Sequence, residues 1–279
     1  MKKTREELMQ VYDSTMEIIQ TGGYEDNNGG WHKLTNPLKG SRFYSTLSTL
    51  KEDFPTFKEE RVYVENIDTF QKAATLGPNA AVLNMASFQR PGGGVKNGSR
   101  AQEEELCRRS NLLQSLYGFD PNGCEELNYT PLKRLKYPIP MFGGIYSPHV
   151  LVFKNALSYS LMDNPFETNV ISVAGIKHPD LDKKTGQLQD RDATTVKGKI
   201  RAILRIALLN KHTKLVLGAL GCGAYGNPPA HVARLFHEVI HEEEFWGHFE
   251  EICFAILEDG NSLKNQSGGN LKPFREVFG

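Results

Sequence analysis

The stretch AAVLNMASFQRPGGGVKNGSRAQEEE, residues 80–105, holds the pattern that decides the fold. It opens with the short apolar run Ala80–Ala86, which predicts a buried strand, and continues into the triple glycine Gly92–Gly94. A helix is predicted from Ala101 to Leu116, and its first turn carries carboxylates. Because glycines let the backbone approach a ligand closely, this strand–loop–helix unit predicts a binding loop beside acidic side chains.

A second strand–loop–helix unit lies near the other end of the chain. The apolar run Lys214–Leu220 enters the loop Gly221-Cys-Gly-Ala-Tyr-Gly-Asn227, and a helix is predicted over 230–245. Further strands are predicted at 61–65, 150–153, 169–174 and 252–257, and further helices at 4–20, 68–76 and 192–210. Several strands are apolar throughout, which indicates a sheet covered on both faces. We therefore predict an α/β fold in which both glycine loops meet beyond the carboxyl ends of the strands.

The segments between these elements have no clear hydrophobic period. Residues 24–57 are polar, glycine-rich and aromatic, and we predict extended structure that wraps around the core. Residues 120–141 and 177–190 are predicted to be surface loops. The tail after Gly260 is polar apart from a closing patch at Phe274–Phe278.

The overall composition excludes several classes of protein. The chain has 279 residues with 33 Lys plus Arg and 33 Asp plus Glu, so no net charge attracts nucleic acid. Its four cysteines show no C-x-x-C spacing, which predicts neither a zinc cluster nor a disulfide framework and fits a reducing cytoplasm. The N-terminus lacks the apolar segment of a signal peptide, and no apolar run approaches the roughly 18 residues of a membrane span. Composition thus predicts a cytoplasmic protein without membrane or nucleic-acid partners.

Each glycine loop also has a simpler interpretation. Glycines in the first loop can make a tight turn, and the glutamates can stabilise the first helical turn through the helix dipole. Three consecutive glycines are poorly explained in this way, because each costs conformational entropy on folding. The second loop matches G-x-G-x-x-G, so a nicotinamide-dependent oxidoreductase stays open, with Glu258 or Asp259 as the ribose-binding acid. Its position near the C-terminus and the doublet Pro228-Pro229 count against that interpretation.

The helix after the second loop contains a possible metal motif. His237-Glu-Val-Ile-His241 matches the H-E-x-x-H pattern of zinc proteases, and His248 is available as a further ligand. The same helix offers an apolar face, which favours histidines on its solvent side: Leu235, Phe236, Val239 and Ile240. We predict no metal and no cofactor, and we interpret Cys222 as a small residue packed under the loop.

At the two glycine loops the chain resembles the macrodomain-type poly(ADP-ribose) glycohydrolases in their bacterial form. That family carries a triple glycine, about six to eight residues and then Gln-Glu-Glu. Here seven residues separate Gly92–Gly94 from Gln102-Glu103-Glu104. The loop Gly221–Asn227 resembles the family's phosphate-binding loop, with Tyr225 at a position that is often Phe, and Gly143–Pro148 resembles the bacterial subgroup. The resemblance covers roughly residues 4–260.

The resemblance implies an architecture. A three-layer α/β/α macrodomain with a mixed, largely parallel central sheet is expected as the catalytic core over residues 61–279. Residues 1–60 are expected to form an N-terminal helical and extended extension that packs on this core.

The resemblance also implies the residues of the site. Glu104 is expected to be the catalytic acid, and Glu103 is expected to bind ribose hydroxyls beside the scissile bond. Asn84 and Ser87 lie near a segment where macrodomains use Asn, but the spacing differs and their roles stay open. The expected ligand-binding residues are Gly92, Gly93, Gly94, Val95, Gln102, Gly221, Gly223, Ala224, Tyr225, Gly226 and Asn227.

The implied activity is cleavage of ribose–ribose O-glycosidic bonds in poly(ADP-ribose) on modified proteins, by a monomer, with release of ADP-ribose. Glu103 and Glu104 are adjacent, so on a helix they point about 100° apart. They cannot flank the sugar from opposite faces as the carboxylates of ordinary glycosidases do, so one carboxylate must serve as acid and then as base. Two alternatives stay open. One is a macrodomain that binds ADP-ribose without cutting it, and the other is a hydrolase of single ADP-ribose units on protein or nucleic acid.

Overall fold

The fold was analysed in a computed structural model that describes residues 3–128, 136–258 and 269–279. The sequence predictions for Asp259, for most of the tail after Gly260 and for the middle of segment 120–141 lie outside these residues. Eight α-helices are formed by the described residues: α1 (Arg5–Thr21), α2 (Thr69–Leu76), α3 (Gln102–Arg109), α4 (Leu112–Tyr117), α5 (Pro121–Glu126), α6 (Asp190–Leu209), α7 (Pro229–Ile240) and α8 (Leu271–Phe278).

The same residues form nine strands: β1 (Gly23–Glu25), β2 (Trp31–Lys33), β3 (Arg42–Tyr44), β4 (Arg61–Glu65), β5 (Ala81–Ala86), β6 (Gly144–Lys154), β7 (Leu161–Ala174), β8 (Lys214–Leu217) and β9 (Glu251–Ala255). β1 and β2 form a separate hairpin, and the other seven form one sheet in the order β3-β6-β7-β5-β8-β9-β4. Five neighbouring strands, β7, β5, β8, β9 and β4, run parallel, whereas β6 is antiparallel to β3 and β7. The predicted mixed, largely parallel sheet is confirmed.

Helices cover both faces of this sheet. Along β5, Ala81 and Leu83 pack in one apolar cluster with α6 and α7, whereas Val82 and Ala86 pack in the other with α1 and α4. Successive side chains of a strand point to opposite faces, so each face of β5 is buried under a different helical layer. The predicted three-layer α/β/α architecture is confirmed.

The single helix predicted over 101–116 is wrong, because the structure divides it into α3 and α4. Ser110 forms an isolated β-bridge with Val152. Asn111 donates its N–H to the carbonyl of Leu151 at 3.2 Å and accepts the N–H of Leu151 at 2.8 Å through Oδ1. Pairing with β6 thus replaces helical hydrogen bonds at this point. The break ties the end of α3, whose first turn carries the glutamates, to the sheet.

Three segments are more regular than the sequence pattern indicates. Segment 120–141 contains the helix α5 and buried side chains that include Cys124, Tyr137 and Ile139. The C-terminal residues form α8, whose Phe274 is buried against α7. The N-terminal segment 24–57 is more regular than expected, because its strand β3 extends the main sheet by pairing with β6. Short polar segments of this kind join a sheet through backbone hydrogen bonds, which leave no hydrophobic period in the sequence.

None of the helices in the described part of the chain is long and apolar enough to cross a membrane.

Candidate active site

The two glycine loops meet at the carboxyl edge of the sheet. The first follows β5 and the second follows β8, and these strands are neighbours. A Cβ built on Gly175, directly after β7, would lie 3.1 Å from the Cα of Gly221 and 3.5 Å from Cδ2 of Tyr225. The side chain of Ser87, directly after β5, lies close to that of Tyr225. Three consecutive strands therefore deliver their loops to one cleft, as the strand–loop–helix order predicts.

The first loop depends on glycine for two reasons. Gly92 and Gly93 have φ of +70° and +56°, in the left-handed region that other residues rarely adopt. A Cβ on Gly93 would in addition lie 2.6 Å from Oε1 of Glu104 and 3.0 Å from Oε2 of Glu103. The next side chain but one, Val95, is buried in the core. The loop is thus shaped so that both carboxylates lie against the bare Cα of Gly93.

Backbone amides of the first loop hold the two carboxylates. Gly92 donates to Oε1 of Glu103 at 3.1 Å, and Gly94 donates to Oε1 of Glu104 at 2.9 Å. These two N–H groups are therefore already used in the free protein. The ligand contacts expected for Gly92, Gly93, Gly94 and Val95 stay predictions.

Glu103 is the more enclosed of the two acids. Its Oε2 accepts the N–H of Ser87 at 2.6 Å while Oε1 accepts from Gly92, and only 3 % of the residue is exposed. Burial raises the pKa of Glu103 to about 8; the Ser87 N–H opposes this rise and the charge of Glu104 adds to it. Folding thus favours the protonated form of Glu103, and that form donates a hydrogen bond as well as accepting them.

Glu104 has one oxygen held and one oxygen available. Oε1 accepts the Gly94 N–H, whereas Oε2 is buried and has no hydrogen-bond partner among the described residues. Buried carboxylate oxygens normally have a donor, so this oxygen needs an explanation. It lies at the carboxyl edge of the sheet beside the second loop, where a ligand can supply the missing partner.

The side chain of Gln102 forms hydrogen bonds with the backbone of β5. Its Oε1 accepts the N–H of Met85 at 2.9 Å, and its Nε2 donates to the carbonyl of Leu83 at 2.6 Å. Both ends of the amide therefore fasten the start of α3 to the strand that precedes the loop. The ligand contact expected for Gln102 stays a prediction, while its contact with the strand orients the two neighbouring glutamates.

The second loop has open amides. No acceptor among the described residues takes the N–H groups of Gly223, Ala224 and Tyr225. A Cβ on Gly223 or Gly226 would meet no atom within 4 Å, so this side of the loop faces open space. Consecutive free N–H groups in an open loop, just before the start of α7, form a cradle for an anion such as a phosphate.

Two other residues of the second loop, Gly221 and Asn227, hold its two ends together. Asn227 donates through Nδ2 to the carbonyl of Ile176 at 2.7 Å and to the carbonyl of Gly221 at 3.0 Å. Gly221 has φ of +75°, and a Cβ there would lie 2.5 Å from Nδ2 of Asn227. Gly221 and Asn227 thus attach the loop to the segment that follows β7. The ligand contacts predicted for both residues stay predictions.

Tyr225 connects the second loop with the acids. The residue is half-buried, and burial raises the pKa of its hydroxyl, with the charges of Glu103 and Glu104 acting in the same direction. The Tyr225 side chain therefore lies near both carboxylates.

The alternative sites find no support. The rings of His237 and His241 stack with their centroids 4.0 Å apart on the exposed face of α7. Within the described ranges, no group of three or more His, Cys, Asp or Glu side chains is placed to hold a metal ion. Glu258, proposed as a ribose-binding acid, accepts the N–H of Asn270 at 2.9 Å at the start of α8. Cys222 is buried under the loop, as predicted.

Sequence reasoning missed one neighbour of the acids, Tyr137, and left the roles of Ser87 and Asn84 open. Ser87, left without a role, supplies a backbone donor to Glu103. Asn84 contacts Glu103 with its side chain and donates to Oγ of Ser172 at 3.0 Å. Tyr137, assigned to a surface loop, is buried close to Glu103. The first two could have been found from their place at the end of a strand in the predicted sheet, but nothing local to Tyr137 indicates burial.

Comparisons with known proteins agree with this geometry. Residues 13–155 match the family described as "Microbial-type PARG, catalytic domain". The chain belongs to the microbial-type PARG family. PARG is poly(ADP-ribose) glycohydrolase, so the resemblance seen at the two loops and the predicted enzyme class are confirmed.

Crystal structures of bacterial PARG proteins resemble the chain over most of its length. PARG from Thermomonospora curvata, bound to the inhibitor ADP-HPD, is 25 % identical with a TM-score of 0.76, over 98 % of this chain and 99 % of that chain. PARG from Deinococcus radiodurans in complex with ADP-ribose is 31 % identical with a TM-score of 0.62, over 79 % of this chain and 84 % of that chain. A second crystal form of that complex gives 29 % identity and a TM-score of 0.66, over 86 % and 94 %. A comparison with curated proteins gave no significant match.

Proposed function

We propose that this PARG cleaves the ribose–ribose O-glycosidic bond of poly(ADP-ribose) with Glu104 as its catalytic acid, releasing ADP-ribose. The observation that carries this assignment is the unpartnered, buried Oε2 of Glu104 beside an oxygen that the Gly94 N–H holds in place. A proton-transferring group has to be fixed and also free on the side that faces the substrate. Among the acids of this cleft, Glu104 combines both properties.

The second loop supplies the binding energy in this proposal. The N–H groups of Gly223, Ala224 and Tyr225 have no acceptor among the described residues, and the loop borders open space at Gly223, so these groups are suited to a diphosphate. A diphosphate bound there places the distal ribose of the ADP-ribose unit against Tyr225 and the two glutamates. Its negative charge, held close to the sugar, also stabilises positive charge that develops on the anomeric carbon.

The reaction then requires two proton transfers at one carboxyl group. Glu104 donates a proton to the leaving ribose oxygen as the glycosidic bond breaks and the sugar gains oxocarbenium character. The resulting carboxylate takes a proton from water, whose oxygen bonds to the anomeric carbon, so Glu104 regains its proton. Glu103 lies on the same side of the sugar as Glu104, since both touch Gly93. In its protonated form it donates a hydrogen bond to a ribose oxygen and orients the sugar.

The substitution Glu104→Gln tests this assignment. It keeps the shape of the side chain but removes the transferable proton, so ADP-ribose release is expected to fall by about 10²- to 10⁴-fold. Affinity for ADP-ribose, measured by calorimetry, is expected to change little because the second loop is untouched. Glu276→Gln, on the surface of α8, serves as the matched control. Full turnover in the Glu104→Gln protein would contradict the role proposed for Glu104.

The same assay separates the polymer from the single unit as substrate. We propose that polymer attached to modified proteins is the substrate, and release is compared on polymer and on a singly ADP-ribosylated peptide. Faster release from the peptide would favour a hydrolase of single units instead. Cytoplasmic location, the monomeric state and the division into residues 1–60 and 61–279 stay predictions from the sequence.

A further inference from the structure

The N-terminal helix α1 packs directly on the loop that follows the triple glycine. Arg5, in its first turn, donates through Nε to the carbonyl of Asn97 at 2.7 Å. Gly98 has φ of +67°, and a Cβ there would collide with the carbonyl oxygen of Arg5. The start of α1 and the segment just beyond the triple glycine are therefore in main-chain contact.

A buried arginine connects the same helix with the same loop. Arg108, in α3, has no exposed surface. Its Nε donates to the carbonyl of Leu8 in α1 at 3.3 Å, another guanidinium nitrogen donates to the carbonyl of Ser99, and a third pairs with Glu105 at 3.0 Å. Burying a guanidinium is costly unless its donors are satisfied. Here the donors join α1, α3 and the glycine loop at one point.

The loop residues held in this way are the ones that fix the Gly94 peptide. Asn97 and Ser99 donate their N–H groups to the carbonyl of Gly94 at 3.0 and 3.2 Å. The N–H of Gly94 in turn donates to Oε1 of Glu104 at 2.9 Å. A continuous path of hydrogen bonds therefore runs from the arginine-held carbonyls to the carboxylate.

We propose that Arg108 is a positioning residue for Glu104, and that helix α1 acts with it as part of the active-site framework. Arg108 reaches no substrate; it holds the loop whose Gly94 amide orients the acid. Catalysis by a fixed group is sensitive to displacements of about 1 Å, so loosening this loop affects the chemical step more than ligand binding. The inference rests on the role proposed above for Glu104.

Arg108→Met tests the proposal, with Arg109→Met as the matched control. Arg109 is the next residue of α3, is also buried, and pairs with both oxygens of Asp68 at 2.9 Å. None of its hydrogen bonds among the described residues reaches the glycine loop. Both variants lose a buried ion pair, so both are expected to lower the urea midpoint of unfolding.

The two variants are expected to differ in turnover. Arg108→Met lowers kcat by about ten- to a hundredfold, with the Kd for ADP-ribose within about threefold of the parent, whereas Arg109→Met keeps kcat within about threefold. Amide exchange in the peptide that contains Gly94 and Ser99 is expected to accelerate in the first variant alone. Equal kcat losses in both variants, or unchanged exchange in Arg108→Met, would overturn the proposal.

Arg5→Ala covers the case in which Arg108→Met does not fold. Arg5 is exposed, so its removal leaves the unfolding midpoint nearly unchanged while it releases the carbonyl of Asn97. Faster exchange at the Gly94 peptide and a several-fold lower kcat are expected; parent-like exchange contradicts the link. The exchange readout does not depend on what Glu104 does. If Glu104→Gln kept full turnover while Arg5→Ala still accelerated exchange, the proposed function would fail and the coupling of α1 to the loop would stand.

Discussion

Gly93 lies so close to Glu104 that a Cβ built on Gly93 would be 2.6 Å from the carboxylate oxygen Oε1. The same Cβ would be 3.0 Å from Oε2 of Glu103, and the backbone of Gly93 has φ of +56°. The middle position of the triple glycine therefore requires glycine because the two carboxylates leave no space for a side chain, and not only because of its turn conformation.

Gly93→Ala is expected to lower turnover strongly. The left-handed backbone costs an alanine about 1 kcal/mol, and the added methyl group must also push both carboxylates away from their backbone donors. We expect ADP-ribose release to fall by at least about a hundredfold, together with a lower unfolding midpoint. The measurement is turnover beside urea unfolding for the purified variant.

Gly186→Ala is the control that measures how much stability an alanine loses in the left-handed backbone conformation alone. Gly186 has φ of +67°, and a Cβ there would meet no atom within 4 Å. This variant is expected to lose a similar backbone contribution to stability while it retains turnover. Near-parent turnover in Gly93→Ala would show that the carboxylates do not need the space at Gly93.

Gly223→Val is expected to weaken binding without weakening the fold. Gly223 has no atom within 4 Å of its Cβ position, so the larger side chain projects into the cleft. The valine side chain keeps the phosphate away from one backbone N–H. Losing one hydrogen bond to a charged phosphate costs about 1.5–3 kcal/mol, which raises the Kd for ADP-ribose roughly ten- to a hundredfold. Calorimetry measures this change, and thermal unfolding without ligand is expected to match the parent. An unchanged Kd would remove the second loop from the diphosphate site.

Strands and helices could be predicted from the sequence where apolar runs were long. Site residues could be predicted where glycines and acids were close together in the chain. β5, its glycine loop and the start of α3 lie close to where the pattern puts them, because burial and turn chemistry are both local there. The two acids were found because they occupy neighbouring positions in the chain.

Long-range contacts explain what could not be predicted. The break between α3 and α4 depends on Ser110 meeting Val152, and the burial of Tyr137 depends on a helix layer assembled from distant segments. The use of the Gly92 and Gly94 amides is a third case. A glycine run indicates available N–H groups, but only the folded helix α3 shows that the glutamates accept two of them.

Asn227→Asp is expected to loosen the second loop. Its Nδ2 donates to the carbonyls of Ile176 and Gly221, and a carboxylate in its place would face two carbonyl oxygens without a donor. We expect a loss of about 1–3 kcal/mol in the free energy of unfolding and a raised Kd for ADP-ribose. Urea unfolding and calorimetry on the same preparation give both values.

Asn210→Asp is the control for that substitution. Asn210 donates through Nδ2 to Ile206 and Tyr44 at the end of α6, at the opposite edge of the sheet. It is expected to lose stability and to bind ADP-ribose like the parent. Equal weakening of binding by both variants would mean that general loss of stability, and not the shape of the loop, accounts for the effect.

Glu103→Gln is expected to flatten the dependence of stability on pH. Burial raises the pKa of Glu103 from 4.5 to about 8 in the folded protein, so folding favours the protonated carboxyl group. Its contribution to stability is then complete below about pH 4.5 and is lost as the pH rises through about 8. Glutamine keeps the uncharged shape at every pH, so its stability relative to the parent is expected to increase between pH 5 and pH 8.5.

Urea midpoints of the parent and of Glu103→Gln at these two pH values provide the measurement. The half-buried Glu60, whose pKa burial also raises, to about 7, contributes equally to both proteins and cancels in the difference. Glu276→Gln, at an exposed position on α8, is expected to follow the parent at both pH values. If the midpoints of parent and Glu103→Gln fell by the same amount, Glu103 would be ionised throughout this range. It would then serve the sugar as an acceptor of hydrogen bonds and not as a donor.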